Sequence, residues 1–315
     1  MSVTFSGAFT FTGGGFTASL APPSEATAGW FGGGYSVSPV TTFSLVNRIT
    51  YATDTATASV RGPLNLARYG LAATGNFTDG WFGSGSGSST VQRITYATDT
   101  ATASIRGPLS VSTNVLAATG TTTDGWFGGG GILSTVGRIT FSTDTATASV
   151  RGPLSLARYG LAATTDNTIY GWFGGGYASG VTSTVSTVDR ITYATDTATA
   201  SVRGSLSSTR YKLAATGNTT SGWFAGGGNL SPLSRVDRIT YATDTATASV
   251  RGPLSLAIRY LAATGNTTDG WFAGGMTPET SIVSRITYAT DTATASARGP
   301  ISAARYGMAA SAGIQ

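Results

Sequence analysis

The side chains that most often perform catalysis or bind metals are scarce in this chain of 315 residues. It has no histidine and no cysteine, and its only glutamates are Glu25 and Glu279. General acid–base catalysis needs a carboxylate or an imidazole in a distinct environment, and structural zinc sites are built largely on cysteine and histidine. Any such chemistry would therefore depend on the aspartates, whose spacing is informative.

All but one of the aspartates, Asp166, recur at equivalent positions of an internal repeat. A catalytic site normally breaks the symmetry of its scaffold, whereas these residues follow it. A calcium site needs six or more oxygen ligands, so one carboxylate per turn is too few. We therefore predict a non-enzymatic protein with no catalytic residue, no cofactor and no metal site. The aspartates of the most regular position are Asp54, Asp99, Asp144, Asp196, Asp244 and Asp291.

The repeat is built around the segment Arg-Ile-Thr-Tyr-Ala-Thr-Asp-Thr-Ala-Thr-Ala-Ser or a close variant. Successive copies begin 45, 45, 52, 48 and 47 residues apart, a period typical of propellers and solenoids. Alternation of apolar and small polar residues predicts two strands joined by a tight hairpin, in which the aspartate accepts a hydrogen bond from its own backbone. The six copies begin at Arg48, Arg93, Arg138, Arg190, Arg238 and Arg285.

Two further segments complete each unit: Arg-Tyr-Gly-Leu-Ala-Ala-Thr, and Gly-Trp-Phe followed by glycines. Four short strands per unit are the content of a propeller blade. The chain first meets a second strand, at Trp30, and last meets a first strand, at 305–312. We therefore predict an all-β, six-bladed propeller over residues 29–315, whose C-terminal strand completes the N-terminal blade and leaves no free edge. Leu71, Ala72 and Ala73 should lie nearest the axis.

The four segments, in their order and with their paired glycines, resemble a Kelch repeat over residues 29–314. The fourth strand departs from the Kelch pattern, because it carries Thr, Ala, Ser and Val where a tryptophan is usual. The near-identical units also resemble Kelch-like virion proteins of tailed phages. The resemblance implies a structural protein located in the virion, acting in assembly or host adhesion. The copper chemistry of some Kelch-fold oxidases is not expected, because it requires histidine and a cysteine-linked tyrosine.

The expected partners are other virion proteins and a host surface glycan or protein, and a homo-oligomer stays open. The alternative is a bacterial glycan-binding or protein-binding propeller outside a virion. The net charge of +5 could suggest nucleic acid, but the arginines are distributed with the repeat and form no patch. We expect them to be structural, with no nucleic-acid partner. No apolar run is long enough for a membrane span.

Two parts of the chain do not follow the repeat, and these are the candidate binding regions. Residues 1–28 form an arm, expected to anchor the propeller on itself or on a neighbour through Phe5, Phe9, Phe11 and Phe16. The other part is the connection between second and third strands, where all but one residue of the length variation lies and where specificity is usually built. The alternative for its two tyrosines is that they merely cover strand ends. The candidate partner-binding residues are Tyr35, Phe43, Tyr177, Asn229, Leu230 and Arg235.

Overall fold

The computed structural model describes residues 25–178 and 183–312 in full, and the backbone of 9–12 and 15–18. Within these residues no helix is long and apolar enough to cross a membrane. The helical elements described here are six single 3₁₀ turns, which directly follow the third strands. They are Tyr51–Thr53, Tyr96–Thr98, Phe141–Thr143, Tyr193–Thr195, Tyr241–Thr243 and Tyr288–Thr290.

Six antiparallel four-stranded sheets contain most of the described strands, and they are numbered here in chain order of their second strands. From first to fourth strand, sheet 1 has Ala309–Ala312, Ala28–Gly32, Val46–Thr50 and Ser59–Arg61, and sheet 2 has Ala72–Gly75, Asp79–Gly83, Val91–Thr95 and Ser104–Arg106. In the same order, sheet 3 has Ala117–Gly120, Asp124–Gly128, Val136–Thr140 and Ser149–Arg151, and sheet 4 has Ala162–Thr165, Tyr170–Gly174, Val188–Thr192 and Ser201–Arg203. Sheet 5 has Ala214–Gly217, Ser221–Ala225, Val236–Thr240 and Ser249–Arg251, and sheet 6 has Ala262–Gly265, Asp269–Ala273, Val283–Thr287 and Ser296–Arg298.

Within each sheet burial is greatest in the second strand and least in the fourth. The second strands carry Gly-Trp-Phe and are buried on both faces, because neighbouring sheets pack against each face. In the third strands Val46 and Ile49 are buried and Arg48 is half-buried. The fourth strands are only three residues long and largely exposed. Such short outer edges limit unwanted strand pairing.

The first strands contact one another in sequence from sheet to sheet, and that of sheet 6 contacts that of sheet 1. In sheet 1 the two ends of the described chain meet, because Ala309–Ala312 pairs antiparallel with Ala28–Gly32, with Gly29 opposite Ala312. The architecture is that of a β-propeller, as predicted at the level of fold class. Ala72 is buried between sheets, whereas Ala73 is half-buried and lines the cavity at the axis, so only part of the predicted axial segment faces it.

Neighbouring sheets are joined by a repeated contact that we call the sheet junction: a second-strand tryptophan of one sheet and the 3₁₀ aromatic and turn aspartate of the next. The two rings stack with centroids 3.8 to 4.1 Å apart. The tryptophan Nε1 donates to the aspartate at 2.8 to 2.9 Å. The junctions are Trp30–Tyr96–Asp99, Trp81–Phe141–Asp144, Trp126–Tyr193–Asp196, Trp172–Tyr241–Asp244, Trp223–Tyr288–Asp291 and Trp271–Tyr51–Asp54.

The turn aspartate was predicted to accept a hydrogen bond from its own backbone. This prediction is wrong, because its partners lie in the adjacent sheet. Strand 3 ends at Thr50, and Tyr51 opens a 3₁₀ turn in place of continuing the alternation. Asp99 is 5% exposed and its carboxylate faces the adjacent sheet. Besides Trp30, it pairs with Arg48 Nη1 at 3.1 Å and Arg61 Nε at 3.4 Å. The predicted structural role of the repeated arginines is confirmed, because the equivalent pairs recur at all six junctions.

A second set of arginines lies buried before the first strands of four sheets. Arg158 and Arg210 are fully buried and pair with Asp189 at 3.1 Å and Asp237 at 2.9 Å. Arg305 Nη1 donates to Asn47 at 2.9 Å. Arg68 donates to the carbonyl oxygens of residues 84 and 90. Burial lowers the pKa of Arg305 to about 10.

Of the arm, residues 9–12 and 15–18 are described in their backbone and residues 25–28 in full. Phe9–Thr12 pairs antiparallel with Gly15–Ala18, and Phe11 lies opposite Phe16. Phe5 and the side chains of Phe9, Phe11 and Phe16 lie outside the described residues, so the arm anchor stays a prediction. Ala26 is already buried against sheet 1, and Ala28 begins its second strand.

Candidate binding face: a tyrosine crown

One end of the propeller axis is bordered by a ring of six backbone hydrogen bonds between successive sheets. The N–H of each ring residue donates to the carbonyl of the equivalent residue in the preceding sheet, over 2.6 to 3.0 Å. All six residues have positive φ, between 55° and 69°. The donors and acceptors follow in the order Val115, Gly70, Gly307, Tyr260, Lys212 and Gly160, which donates to Val115.

Glycine adopts such a conformation without strain, whereas a residue with a Cβ does so at a cost of about 1 kcal/mol or more. Three ring positions are glycine, yet Val115, Lys212 and Tyr260 occupy the others with φ values of 55°, 60° and 61°. Residues held in this region cluster at binding and catalytic sites. Lys212 and Tyr260 also contact each other, because the Lys212 Nζ lies 4.3 Å from the Tyr260 ring centroid.

Around this ring stand tyrosines that touch one another from sheet to sheet. Tyr306 lies 5.5 Å from Tyr35 and 5.4 Å from Tyr260, measured between ring centroids. Tyr211 lies 5.9 Å from Tyr177 and 6.1 Å from Tyr159. We call this set, with the lysine that joins its two halves, the tyrosine crown: Tyr35, Tyr69, Tyr159, Tyr177, Tyr211, Tyr260, Tyr306 and Lys212.

Lys212 connects the two groups of tyrosines. Its Nζ lies 4.3 Å from the centroids of both Tyr211 and Tyr260, and it donates to the Tyr211 hydroxyl at 3.0 Å. A cation over a tyrosine face is attracted by the ring quadrupole. Lys212 is the only lysine of the chain. In the part of the chain that the structure describes, it lies against tyrosine rings and pairs with no carboxylate.

Burial raises the pKa of Tyr159 and of Tyr306 above the ordinary tyrosine value. Neighbouring crown tyrosines act in the same direction, while Lys212 opposes the rise at Tyr159. Both hydroxyls are therefore protonated at neutral pH and can donate hydrogen bonds. Half-buried tyrosines present an apolar ring and a polar end, the combination that binding surfaces favour.

The structure distributes the predicted binding residues between the crown and its surroundings. Tyr35 and Tyr177 are crown members, each against a tyrosine of the segment before a first strand. Phe43 is half-buried beneath the Arg305 guanidinium, 5.7 Å from its ring centroid. Arg235 Nη1 donates to Ser207 Oγ at 2.9 Å, which ties it to the scaffold.

The other predicted loop residues are free of the crown contacts described above. Leu230 is 93% exposed and Asn229 is also exposed. The loop between second and third strands of sheet 1 forms its own hairpin, Tyr35–Val37 with Val40–Thr42. That of sheet 4 pairs Tyr177–Ala178 with Ser183–Thr184 and with Arg158–Tyr159, and its residues 179–182 lie outside the described part.

Sequence reasoning missed the other crown members, because it assigned binding only to the loops of variable length. Tyr69, Tyr159, Tyr211 and Tyr306 share one repeat position, which looks like scaffold in the sequence. The available signal was the neighbouring position, where glycine is replaced by Lys212 and Tyr260 in two adjacent repeats. Departure from the repeat at adjacent positions marks a local function more directly than loop length.

The opposite end of the axis offers little chemistry. Its cavity measures about 130 Å³, below the ~300 Å³ of ordinary small-molecule sites. Its described lining consists of Ala, Thr, Gly, Ser and Asn side chains, such as Ala73, Thr164 and Ser311, and contains no acid or base. Across the part of the chain that the structure describes, no group of three or more His, Cys, Asp or Glu could hold a metal ion.

Comparison with known proteins supports the fold and goes no further. No protein-family model matches the chain, and no curated protein matches it. Among solved structures 421 chains match. One of them, titled "Structure of YjhT", superimposes with a TM-score of 0.65 at 10% identity, over 79% of this chain and 88% of that one. At such low identity the likeness is one of fold, and the chain is similar to YjhT as a β-propeller.

Proposed function

We propose that the chain is a six-bladed propeller closed by its C-terminal strand, and that it is a non-enzymatic recognition module. Two observations support the closed ring. The junction between sheets 6 and 1, Trp271 with Asp54 at 2.8 Å, has the same geometry as the other five. The cycle of backbone hydrogen bonds at the axis also returns to its starting residue.

The tyrosine crown is the observation that carries the recognition function. Tyrosine rings lie beside a lysine that has no carboxylate partner in the described residues, at one end of the axis. The loops that differ between sheets lie on the same face, because Tyr35 and Tyr177 belong to them. Six of the twelve aspartates are held at the sheet junctions, as Asp99 is by its two arginines, which leaves these carboxylates unsuited to hydrolysis.

We place the module in a tailed-phage virion, as the resemblance of the repeat implies, where it takes part in assembly or host adhesion. The arm docks on another virion protein, and the crown meets a host surface partner. In this division the six equal junctions stabilise the fold, and the parts of the chain that occur only once determine which partner is bound.

Quantitative mass spectrometry of purified particles tests the location. A virion protein is present at a fixed number of copies per particle. Absence from particles overturns the virion assignment and favours the alternative, a bacterial binding propeller.

Cell attachment tests the recognition surface. A full-length chain with Tyr35→Ser and Tyr177→Ser should lose binding to the host cells that the parent chain binds, while Ile105→Ser, on an exposed fourth strand, serves as the surface control. Equal attachment by the parent and the double variant contradicts the role of the crown. A chain lacking residues 1–24, which keeps the buried Ala26, should fold but fail to join particles.

A further inference from the structure

The cationic side chains of this chain are almost all used by its scaffold. Seventeen of the eighteen arginines form an ion pair or a side-chain hydrogen bond in the described structure, as Arg48, Arg210 and Arg235 do. The exception is Arg259, which has no such partner there and whose Nε is buried without a hydrogen bond. Lys212, the only lysine, has tyrosine rings and no carboxylate beside it.

These two cations flank one crown residue. Arg259 precedes Tyr260 in the chain, and the Tyr260 N–H donates to the Lys212 carbonyl at 2.8 Å. The Lys212 Nζ lies 4.3 Å from the Tyr260 ring. Arg259 is held beside the crown through its backbone, since the Met276 N–H donates to its carbonyl at 2.8 Å.

The scaffold does not require either cation at its position. The residues equivalent to Arg259 in the other repeats are Tyr69, Asn114, Tyr159, Tyr211 and Tyr306. Glycine serves at three of the positions equivalent to Lys212, where its φ of 60° is strained for a lysine. A strained lysine and an unpaired arginine beside one tyrosine indicate a site that is completed by an anion.

We propose that the tyrosine crown binds a carboxylated saccharide, with the carboxylate between Lys212 and Arg259 and sugar rings on the neighbouring tyrosines. The proposal deepens the recognition function and rests on it. Charge complementarity favours an anion, because neither Lys212 nor Arg259 forms an ion pair with a carboxylate in the described residues. The cavity at this end measures about 60 Å³, too small for a buried peptide anchor, whereas a sugar ring can lie on exposed aromatic faces.

Binding of three carboxylated polysaccharides, polygalacturonate, alginate and hyaluronate, tests the proposal when each is paired with its carboxyl-reduced form. Biolayer interferometry with the immobilised full-length chain should show at least one acid polymer bound about tenfold more tightly than its reduced form. Added salt should weaken that preference. Binding to none of the three, or equal binding of both forms, overturns the proposal.

Substitution of the two cations tests whether the carboxylate binds at the crown. Lys212→Gln with Arg259→Gln should lose about tenfold in affinity for the acid polymer, and Lys212→Arg should retain it. Val60→Gln is the control, because that residue lies exposed on the fourth strand of sheet 1 and belongs to neither candidate binding region. Each variant is used only if its melting temperature matches the parent. Unchanged affinity in the double variant, or loss of affinity in the control alone, contradicts the site.

Poly-glutamate separates a saccharide from an acidic peptide. If it binds as tightly as the best acid polysaccharide, charge alone is recognised and the saccharide is wrong. The failure of this inference differs from failure of the recognition function. If the Tyr35 and Tyr177 variant loses cell attachment while carboxyl reduction changes nothing, the crown is a binding site for another ligand. If attachment survives the tyrosine changes, the recognition function itself fails.

Discussion

The six sheet junctions and the tyrosine crown use the same residue types for opposite purposes. At the junctions a tyrosine ring, or Phe141 in one of them, stacks on a tryptophan at about 4 Å and the partner aspartate is 5 to 8% exposed, in six nearly equal copies. In the crown the tyrosines are half-buried, contact one another at wider spacings and differ from sheet to sheet. Equal copies of a contact can join each sheet to the next, whereas recognition of one particular binding partner requires residues that occur only once.

The junctions and the crown also differ in whether their charged side chains have partners of opposite charge. Each junction aspartate faces two arginines and a tryptophan N–H, so its charge is satisfied within the fold. Lys212 and Arg259 have no carboxylate in the described structure. Changes at the junctions should therefore alter stability, and changes in the crown should alter binding.

Removal of residues 304–315 should have the largest effect. It deletes the first strand of sheet 1, including the pairing of Gly29 with Ala312, and the buried Arg305. We expect loss of cooperative unfolding and aggregation through the exposed strand edge. Thermal melting and size-exclusion chromatography measure it, with removal of residues 313–315 alone as the control. A soluble truncated chain with the parent melting temperature would contradict the closed ring.

Alkaline pH should unfold the protein through the junction tyrosines. Burial raises the pKa of Tyr51, Tyr96, Tyr193, Tyr241 and Tyr288 well above the ordinary value near 10. The folded state thus holds protons that the unfolded state loses, and stability is full below pH ~10 and falls as pH rises further. Five such groups together cost about 7 kcal/mol per pH unit.

Tyrosine absorbance and circular dichroism followed along the same alkaline titration measure this effect. Junction tyrosines should ionise only as the fold is lost. Ionisation of all tyrosines in one step, with the fold retained, would show that the junction hydroxyls are accessible.

Asp54→Ala should cost about 3–5 kcal/mol, because it leaves two arginines and a buried tryptophan N–H without their acceptor. Asp99→Ala at an internal junction should cost the same within about 0.5 kcal/mol. Urea unfolding measures both free energies. Asp166→Ala is the control, because that aspartate binds only backbone N–H groups of its own turn in the described structure. A much smaller cost at Asp54 than at Asp99 would mean that the chain ends are joined differently.

Tyr241→Phe should cost about 1–2 kcal/mol. The hydroxyl bonds Thr164 Oγ1 at 2.8 Å and the Thr165 carbonyl at 3.0 Å, and its loss leaves buried groups unpaired. The chain supplies a matched reference, because one junction has Phe141 in place of tyrosine. Phe141→Tyr should be neutral or stabilising in the same unfolding assay. If Tyr241→Phe is neutral as well, stacking alone holds the junctions.

Tyr35→Ser and Tyr177→Ser should have the smallest effect on stability, about 0.5–1.5 kcal/mol each from lost ring contacts. Thermal melting beside the cell-attachment assay separates the two roles. A large fall in melting temperature would show that the crown belongs to the scaffold, as the interpretation that these tyrosines merely cover strand ends implies.

The repeat itself determined much of this protein. The period, the alternation and the order of segments were enough for strands, four to a sheet, and for the β-propeller class, because each is a local pattern that any fold must respect. The structural role of the arginines followed from their even distribution along the chain. The placement of Phe5, Phe9, Phe11 and Phe16 stays a prediction.

Only the tertiary structure determined which residues of different sheets contact one another. The aspartate at position 54 looked like a turn residue, yet its tryptophan is Trp271, 217 residues away. The crown likewise depends on Tyr35 meeting Tyr306 and on Lys212 meeting Tyr260. A local pattern specifies which face a side chain takes, but contacts between sheets depend on how the sheets are arranged about the axis, which no single repeat encodes.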